Sequence, residues 1–295
     1  MGNREETGNR QWDARALRPG LYFVAVPIGN ARDITLRAMD VLAAADLLVA
    51  EDTRSLRKLM EIHGIPLEGR KVLAYHEHNG AKMRPVLLQA LSEGKSVAYA
   101  SEAGTPLISD PGFDLSRAVV EQGLPLQAAP GASAVLTALN VAGLPTDRFL
   151  FAGFLPSSKA ARRSALADMA DVAATLVFYE SPRRVGAMLA DAARVLGEER
   201  EAALCRELTK KFEEVRRGTL GELAQGVETA PVKGEVVVVI GRGTGQEASE
   251  DDVETQLREA LKTMSVRDAA EMVAKGQGVN KRKIYSLALK LSAED

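Results

Sequence analysis

Short, continuously apolar runs alternate with stretches of helical periodicity over roughly the first half of the chain. The apolar runs are LYFVAVP (from Leu21), DLLVAE, KVLAY, KSVAYAS and LPLQAAP. Between them ITLRAMDVLAAA, TRSLRKLMEIHG, GAKMRPVLLQALSEG, FDLSRAVVEQG and ASAVLTALNVAG place apolar residues every three or four positions, the mark of an amphipathic helix. Strands that alternate with helices predict βαβ units. Strands without a polar face predict a largely parallel sheet covered on both sides.

LPTDRF, residues 144–149, breaks the rhythm and marks a boundary. A second α/β unit follows: FLFAGFL, a polar helix from Ser157, TLVFYE, a helix from Pro182, AALCREL, FEEVRRGTL, a short helix and GEVVVVIG. The last strands lie too close in sequence for long crossovers, so part of this sheet is expected to be antiparallel. GRGTGQEASEDD reads as an acidic, Gly-rich linker. The final 45 residues are helical in pattern, with Ser265 and Asp268 forming a capping-box start. Gly278 fits a helix stop there, and Asn280 fits a cap for KRKIYSLALKL. The expected layout is a flexible tail (1–18), an N-terminal α/β domain (19–144), a second α/β domain (145–243), a linker (244–252) and a C-terminal helical domain (253–295).

Length agrees, since 295 residues suit about two domains with an appendage. No apolar run approaches the ~18 residues of a membrane span, and the polar start MGNREETGNRQWDAR lacks a signal-peptide core. Cys205 is the only cysteine, which excludes an intrachain disulfide and a Cys-rich zinc site. A cytoplasmic location is expected. Lys plus Arg number 38 and Asp plus Glu 40, a net charge of −2. Any polyanionic partner must therefore be met by local clusters of cations and not by general basicity.

The chain has no P-loop and no G-x-S-x-G elbow. His76 and His78 in YHEHN offer two ligands without a third, too few for a metal site. VVVVIGRGTG imitates a dinucleotide fingerprint, but its glycines lead into EASEDD, whose charge would repel a phosphate. The informative segments are three loops that each follow a strand of the first domain: VPIGN (26–30), SEAGTPLISDPG (101–112) and PGAS (130–133). In an open α/β sheet, ligands bind beyond the carboxyl ends of strands, so the three loops are expected to converge. They carry few cations and suit an uncharged or zwitterionic ligand better than a triphosphate.

LYFVAVPIGNARDITLRAMDVL, VAEDTR, SEAGTPLISDPG, APGASAVLTALNVAGLPTDRFLFAGFLP, FYESPRR, CRELTKKFEEV and KGEVVVVIG together resemble the small-subunit ribosomal RNA cytidine 2′-O-methyltransferase family. That family belongs to the tetrapyrrole-methylase-like (class III) superfamily. The likeness runs in order from about residue 20 to 241, and SVRDAAEMVAKGQGVNKRKIYSLAL resembles the family's helix-turn-helix-like end. It implies two α/β domains of the tetrapyrrole methylase type with S-adenosylmethionine folded between them, and a homodimer acting on 16S ribosomal RNA or the 30S subunit. By match to the superfamily's loops, Pro27, Ile28 and Gly29 line the cofactor's first wall. Ala103, Gly104, Thr105 and Pro106 form the second, and Ser133 with Ala134 the third. Phe178, Tyr179 and the stretch from Arg206 to Thr209 border it from the second domain. The chain departs from the family at Val26, where a small residue such as Thr is frequent, and at Glu102, where Asp is common.

A ribose hydroxyl is a weak nucleophile, so a positioned base is expected. The candidates beside the loops are Glu51, Asp52, Glu102, Asp110 and Glu207, with Arg54 and Lys210 placed to hold a phosphate. Asp52 or Thr53 fits equally well as a helix cap. For RNA contact the cation clusters are Lys159, Arg162 and Arg163; Arg183 and Arg184; Lys210, Lys211, Arg216 and Arg217; and Lys281, Arg282 and Lys283. Rival readings are a methylase of a tetrapyrrole or other small molecule, a non-catalytic ribosome-assembly factor and, more remotely, a Rossmann oxidoreductase.

Overall fold

The computed structural model describes residues 12–13, 15–109, 112–243, 250–277 and 281–292. The chain forms two compact units, residues 1–141 with 205–214, and residues 142–204 with 215–295.

The first unit is built on five strands: β1 (Gly20–Val24), β2 (Leu47–Ala50), β3 (Val72–Ala74), β4 (Ser96–Ala100) and β5 (Leu126–Ala129). Their spatial order is β3-β2-β4-β1-β5 and every pairing is parallel. The crossovers are α1 (Leu36–Ala44), α2 (Thr53–Ile62), α3 (Gly80–Ser92) and α4 (Phe113–Glu121), and α5 (Ala134–Ala142) follows β5. Alternate residues of each strand point to opposite faces. Tyr22, Val24, Leu48, Ala50 and Ala98 therefore join one core with Leu42 and Met60, while Leu21, Phe23, Val49, Val97 and Tyr99 join a second with Leu87 and Leu115. Both faces are covered, which is why these strands are apolar apart from Ser96 at the start of β4 and Gln127 in edge strand β5. Trp12 and Leu17, from the segment expected as a tail, pack against the first core, and the Tyr22 hydroxyl donates to Arg18 O at 2.8 Å. Helix starts are fixed by side chains: Thr35 accepts from Ala38 N at 3.1 Å, and Asp52 accepts from Arg54 N at 2.8 Å. At the opposite end of the strands, Asp46 accepts from both N and Oγ of Ser96. The Ser96 hydroxyl bond, then its amide bond, holds the Asp46 carboxyl below its ordinary range.

The second sheet contains β6 (Phe149–Phe154), β7 (Thr175–Glu180), β8 (Glu201–Arg206), β9 (Glu214–Thr219) and β10 (Val236–Ile240), in the order β6-β7-β10-β8-β9. β6 and β7 are parallel, whereas β10 pairs antiparallel with β7, so the sheet is mixed. Helices α6 (Lys159–Ala167), α7 (Val185–Leu196) and α8 (Leu220–Thr229) accompany it. A capping box between Thr219 and Glu222 starts α8. The core combines Leu176, Phe178, Val236 and Val238 with Met188, Leu189 and Leu223. Gly241 donates its N–H to Glu201 O at 2.8 Å, and a Cβ on Gly243 would lie 2.4 Å from Ala170 O. The described part of the glycine run therefore packs on its own unit.

The last helices, α9 (Glu250–Leu261), α10 (Val266–Gln277) and α11 (Lys281–Leu291), enclose a separate core of Leu257, Ala269, Ala270, Val273, Ile284 and Ala288. Ser265 Oγ accepts from Asp268 N at 3.2 Å, as the capping pattern predicts. Gly278 and Asn280 lie outside the described residues. Among the described residues no helix is long and apolar enough to cross a membrane.

Candidate active site

Because all five strands of the first unit run parallel, their carboxyl ends share one edge. That edge gathers the loops singled out in the sequence. Val26 N donates to Gly104 O at 2.9 Å, and Gly104 N donates back to Val26 O at 3.0 Å, an isolated bridge between the first and second loops. Thr105 Oγ1 donates to Ala132 O at 2.9 Å, joining the second loop to the third. Gly104 has φ +71°, and a Cβ there would meet Ile28 Cγ2 at 3.1 Å. Pro27, Thr105, Ser133 and Ala134 are half-buried, Ile28, Gly104 and Pro106 are buried, and Gly29 and Ala103 are exposed. The wall is thus an uncharged rim of backbone and small side chains.

A fourth segment joins them. Residues 205–214 belong to the first unit, and Asn30 N donates to Thr209 Oγ1 at 3.1 Å. A Cβ on Gly29 would fall 2.4 Å from Lys210 Cγ and 3.1 Å from Leu208 O, so only glycine permits this approach. Glu207 (φ +50°) and Thr209 (+65°) here, and Leu107 (+72°) and Ser109 (+64°) in the second loop, take left-handed backbone conformations. Among the described non-glycine residues only Glu68 does so elsewhere. Such strain persists where surrounding contacts over-determine it, and it clusters at ligand sites.

The acidic candidates divide by environment. Asp52 serves as the α2 cap and also receives Arg54 Nη2 at 3.3 Å. The Arg54 backbone bond, then its side-chain bond, keeps this carboxyl below its usual value. Glu51 is half-buried and accepts weakly from Glu102 N at 3.4 Å. Burial pushes its carboxyl above the ordinary value, with the negative charge of Glu102 adding to the effect. Glu102 is exposed, and Glu207 receives Lys210 Nζ at 3.1 Å. Asp110 lies outside the described residues.

Phe178 and Tyr179 stand on opposite faces of β7. Phe178 is fully buried in the helix-facing core. Tyr179 instead meets Phe151 and Phe154 edge-on at ring-centre distances of 4.8 and 5.7 Å.

Arg162, a candidate for RNA contact, lies inside the second unit. Its guanidinium is buried, donates through Nε and Nη2 to Asp191 at 2.8 and 2.6 Å, and reaches Ser157 O. Arg163 binds the other oxygen of Asp191 at 2.6 Å. Arg184 is partly committed as well, to Leu155 O and the buried Glu180. Lys159, Arg183, Arg282 and Lys283 are exposed on their helices or helix starts, and Lys281 opens α11. A partner such as Asp191, 29 positions away, leaves no local trace in sequence. Asn30 and Ala132, which tie the loops together, were likewise not singled out; their place inside VPIGN and PGAS was the available signal.

Comparison with known proteins assigns the family. Residues 20–224 match the model of tetrapyrrole (corrin/porphyrin) methylases, and residues 247–292 match the RsmI C-terminal HTH domain. The ribosomal RNA small subunit methyltransferase I of Mesorhizobium japonicum is 46% identical over 96% of this chain and 96% of its own length. The chain belongs to the tetrapyrrole methylases, in their ribosomal RNA small subunit methyltransferase I branch. A second relative of this methylase, the protein of the same name from Halalkalibacterium halodurans, is 40% identical over 90% of this chain and 93% of its own. Solved structures share the methylase fold. The methyltransferase CobJ covers 76% of the chain at a TM-score of 0.58 and 18% identity, with 95% of its own length matched. Uroporphyrin-III C-methyl transferase from Thermus thermophilus, solved with S-adenyl homocysteine, covers 75% at 0.53 and 20%, with 97% of its own length matched.

Proposed function

We propose that this chain transfers the methyl group of S-adenosylmethionine to the ribose 2′-hydroxyl of a cytidine in small-subunit ribosomal RNA. The observation that carries the reading is its 40–46% identity, over nine-tenths or more of the chain, to proteins named ribosomal RNA small subunit methyltransferase I. The geometry of the strand-end loops supports the cofactor. An amino-acid zwitterion joined to a nucleoside needs close backbone approach and few fixed charges, and the Gly29, Ala103–Pro106 and Ser133–Ala134 walls provide both. When bound, the cofactor supplies an electrophilic methyl group on a sulfonium.

The protein's own part is to hold a hydroxyl in line, exclude water and accept a proton. Glu51, Glu102 and Asp52 follow β2 and β4 beside the loops, and of these Glu51 is the carboxylate whose burial favours holding a proton. Arg54 and Lys210 rest on Asp52 and Glu207, so a substrate phosphate would take over cations already oriented at the site. Lys159, Arg183, Lys281, Arg282 and Lys283 are the further cations proposed to meet RNA. A homodimer is part of the proposal: edge strand β6 exposes Phe149, Leu150 and Phe154, an apolar surface suited to a second copy.

The test is to incubate the protein with labelled S-adenosylmethionine and small subunits, or free 16S RNA, from a strain lacking the gene, and to digest the RNA to nucleosides. Label in 2′-O-methylcytidine is expected. Label on a tetrapyrrole offered in parallel, with none in RNA, would replace this reading by the small-molecule one, and no transfer to either would leave an assembly factor.

A further inference from the structure

The loop after β3 holds a histidine that the proposed chemistry has not yet used. β3 and β2 are neighbours with Ala74 opposite Ala50, and Tyr75 N continues the pairing to Ala50 O at 2.9 Å. Glu51 N in turn donates to Ala100 O of β4 at 3.2 Å. His76, Glu51 and Glu102 therefore leave three adjacent strands along the same edge. The small-residue loops follow β4, β1 and β5 along this edge, and His76, Glu51 and Glu102 follow β3, β2 and β4.

The backbone of His76 is held from all sides. Its N–H donates to Asn79 Oδ1 at 2.8 Å, its carbonyl accepts from Asn79 N and Gly80 N, and Asn79 Nδ2 donates to Ala74 O at 3.0 Å. The ring is not matched in this way, because Nδ1 is buried without a hydrogen-bond partner. A buried polar atom left unpaired inside an otherwise satisfied loop calls for a role. The titratable groups near it include Glu51, which leaves the neighbouring strand end and whose carboxyl senses the histidine as well as Glu102 and Asp52, and the His78 ring at 6.0 Å.

We infer that His76 is the general base of the methyl transfer and that Glu51 is its positioning partner; this rests on the function proposed above. Histidine is the side chain whose ordinary range lies nearest a neutral operating pH, whereas Asp52 is already engaged as a cap. In the step, the ribose oxygen forms a bond to the methyl carbon as the carbon–sulfur bond breaks and its electron pair returns to sulfur. The hydroxyl proton passes to the imidazole, and the resulting cation faces the Glu51 carboxylate. Charge and atoms balance, with a neutral thioether and an imidazolium in place of a sulfonium and an imidazole.

The experiment measures single-turnover methyl transfer to the RNA substrate from pH 5.5 to 9 with the full-length protein and its His76→Gln, Glu51→Gln and His78→Gln variants. S-adenosylhomocysteine affinity is measured by calorimetry, and histidine ring titrations are followed by NMR. His76→Gln is expected to lower the rate by about 10²–10⁴-fold and to remove the rise of rate with pH through the histidine range, with cofactor affinity within about two-fold of wild type. His78→Gln is expected to keep the wild-type profile. Glu51→Gln is expected to displace both that rise and the His76 titration. A folded His76→Gln protein with the wild-type rate and profile overturns the inference. If His76→Gln does not fold, an unchanged profile and an unchanged His76 titration in Glu51→Gln overturn it instead. Absence of transfer by the wild-type protein is a different result, and rejects the proposed function itself.

Discussion

Asn30 and Thr209 are 179 residues apart, yet the amide of one donates to the hydroxyl of the other at 3.1 Å. The bond fixes the loop after β1 against a segment whose own backbone is strained at Glu207 and Thr209. Thr209→Val keeps the shape and removes the acceptor. A lost hydrogen bond of about 1 kcal/mol predicts S-adenosylhomocysteine binding about five-fold weaker. Calorimetry checks this, and an unchanged dissociation constant would show that the tie does not serve the cofactor.

Gly29 tests the same junction by filling it. A Cβ there can push the flexible Lys210 side chain aside, but not the Leu208 carbonyl at 3.1 Å. Gly29→Ala should therefore move the 207–210 segment and reduce cofactor affinity by about ten-fold or more, with a smaller effect on thermal stability. Gly94→Ala, in the turn that leads into β4 at the opposite edge of the sheet, is the control, since nothing lies within 4 Å of its added Cβ. It strains a left-handed turn remote from the loops, so it should cost stability without changing affinity.

What could be read in the sequence was whatever is encoded locally. Runs such as SVAYA and VVVVI have no polar face, so their burial followed directly, and Asp52 or Thr53 as a helix cap was one of two readings that EDTR left open; Asp52 is the cap. The convergence of VPIGN, SEAGTPLISDPG and PGAS followed from a rule about strand ends in parallel sheets, which needs no contact information. Partnerships were hidden. Arg162 looks like any surface arginine until α7 brings Asp191 against it, and His76 looks like half of a poor metal site until the pairing of β3 with β2 brings it to the strand end next to that of Glu51. Left-handed backbone at Glu207 and Thr209 was equally unreadable, because neither residue type favours it.

Glu51 carries a stability consequence of definite sign. Its carboxyl is raised above the ordinary value of 4.5, chiefly by burial, so the folded state binds the proton more tightly than the unfolded state. The associated stabilisation is complete below about pH 4.5 and is lost as pH rises through the folded value. At pH 8 the ionised group is a burden, and Glu51→Gln should raise the melting temperature by about 1–3 °C. The gain should shrink to nothing near pH 4, as differential scanning calorimetry across pH would reveal. A variant less stable than wild type at pH 8 would contradict this account.

Arg162 and Asp191 predict a different phenotype from the surface cations. Burial by itself would raise the Asp191 carboxyl, but hydrogen bonds from Arg163 and Arg162 outweigh it and hold the group below its ordinary value. Removing one partner strands the other in a dry core. Asp191→Ala should cost about 3–5 kcal/mol in urea denaturation. Arg162→Ala should behave similarly, and the fraction that remains folded should bind RNA with an unaltered salt slope.

The salt slope is instead expected to report on α11. The net charge of −2 argues against binding RNA through general basicity, so the proposed contact must come from a few cations on particular faces. Arg282 and Lys283 are exposed at the start of α11, which places them together at one end of a helix. Each phosphate neutralised contributes about 0.7–0.9 to the slope of log affinity against log salt. Replacing both by Gln should lower that slope by about 1.5 and weaken binding most at low salt, while cofactor affinity stays at the wild-type value. Fluorescence anisotropy of labelled RNA between 50 and 300 mM salt measures it. An unchanged slope would make the α9–α11 cluster a structural element only and return the RNA contact to Lys159, Arg183 and the strand-end edge.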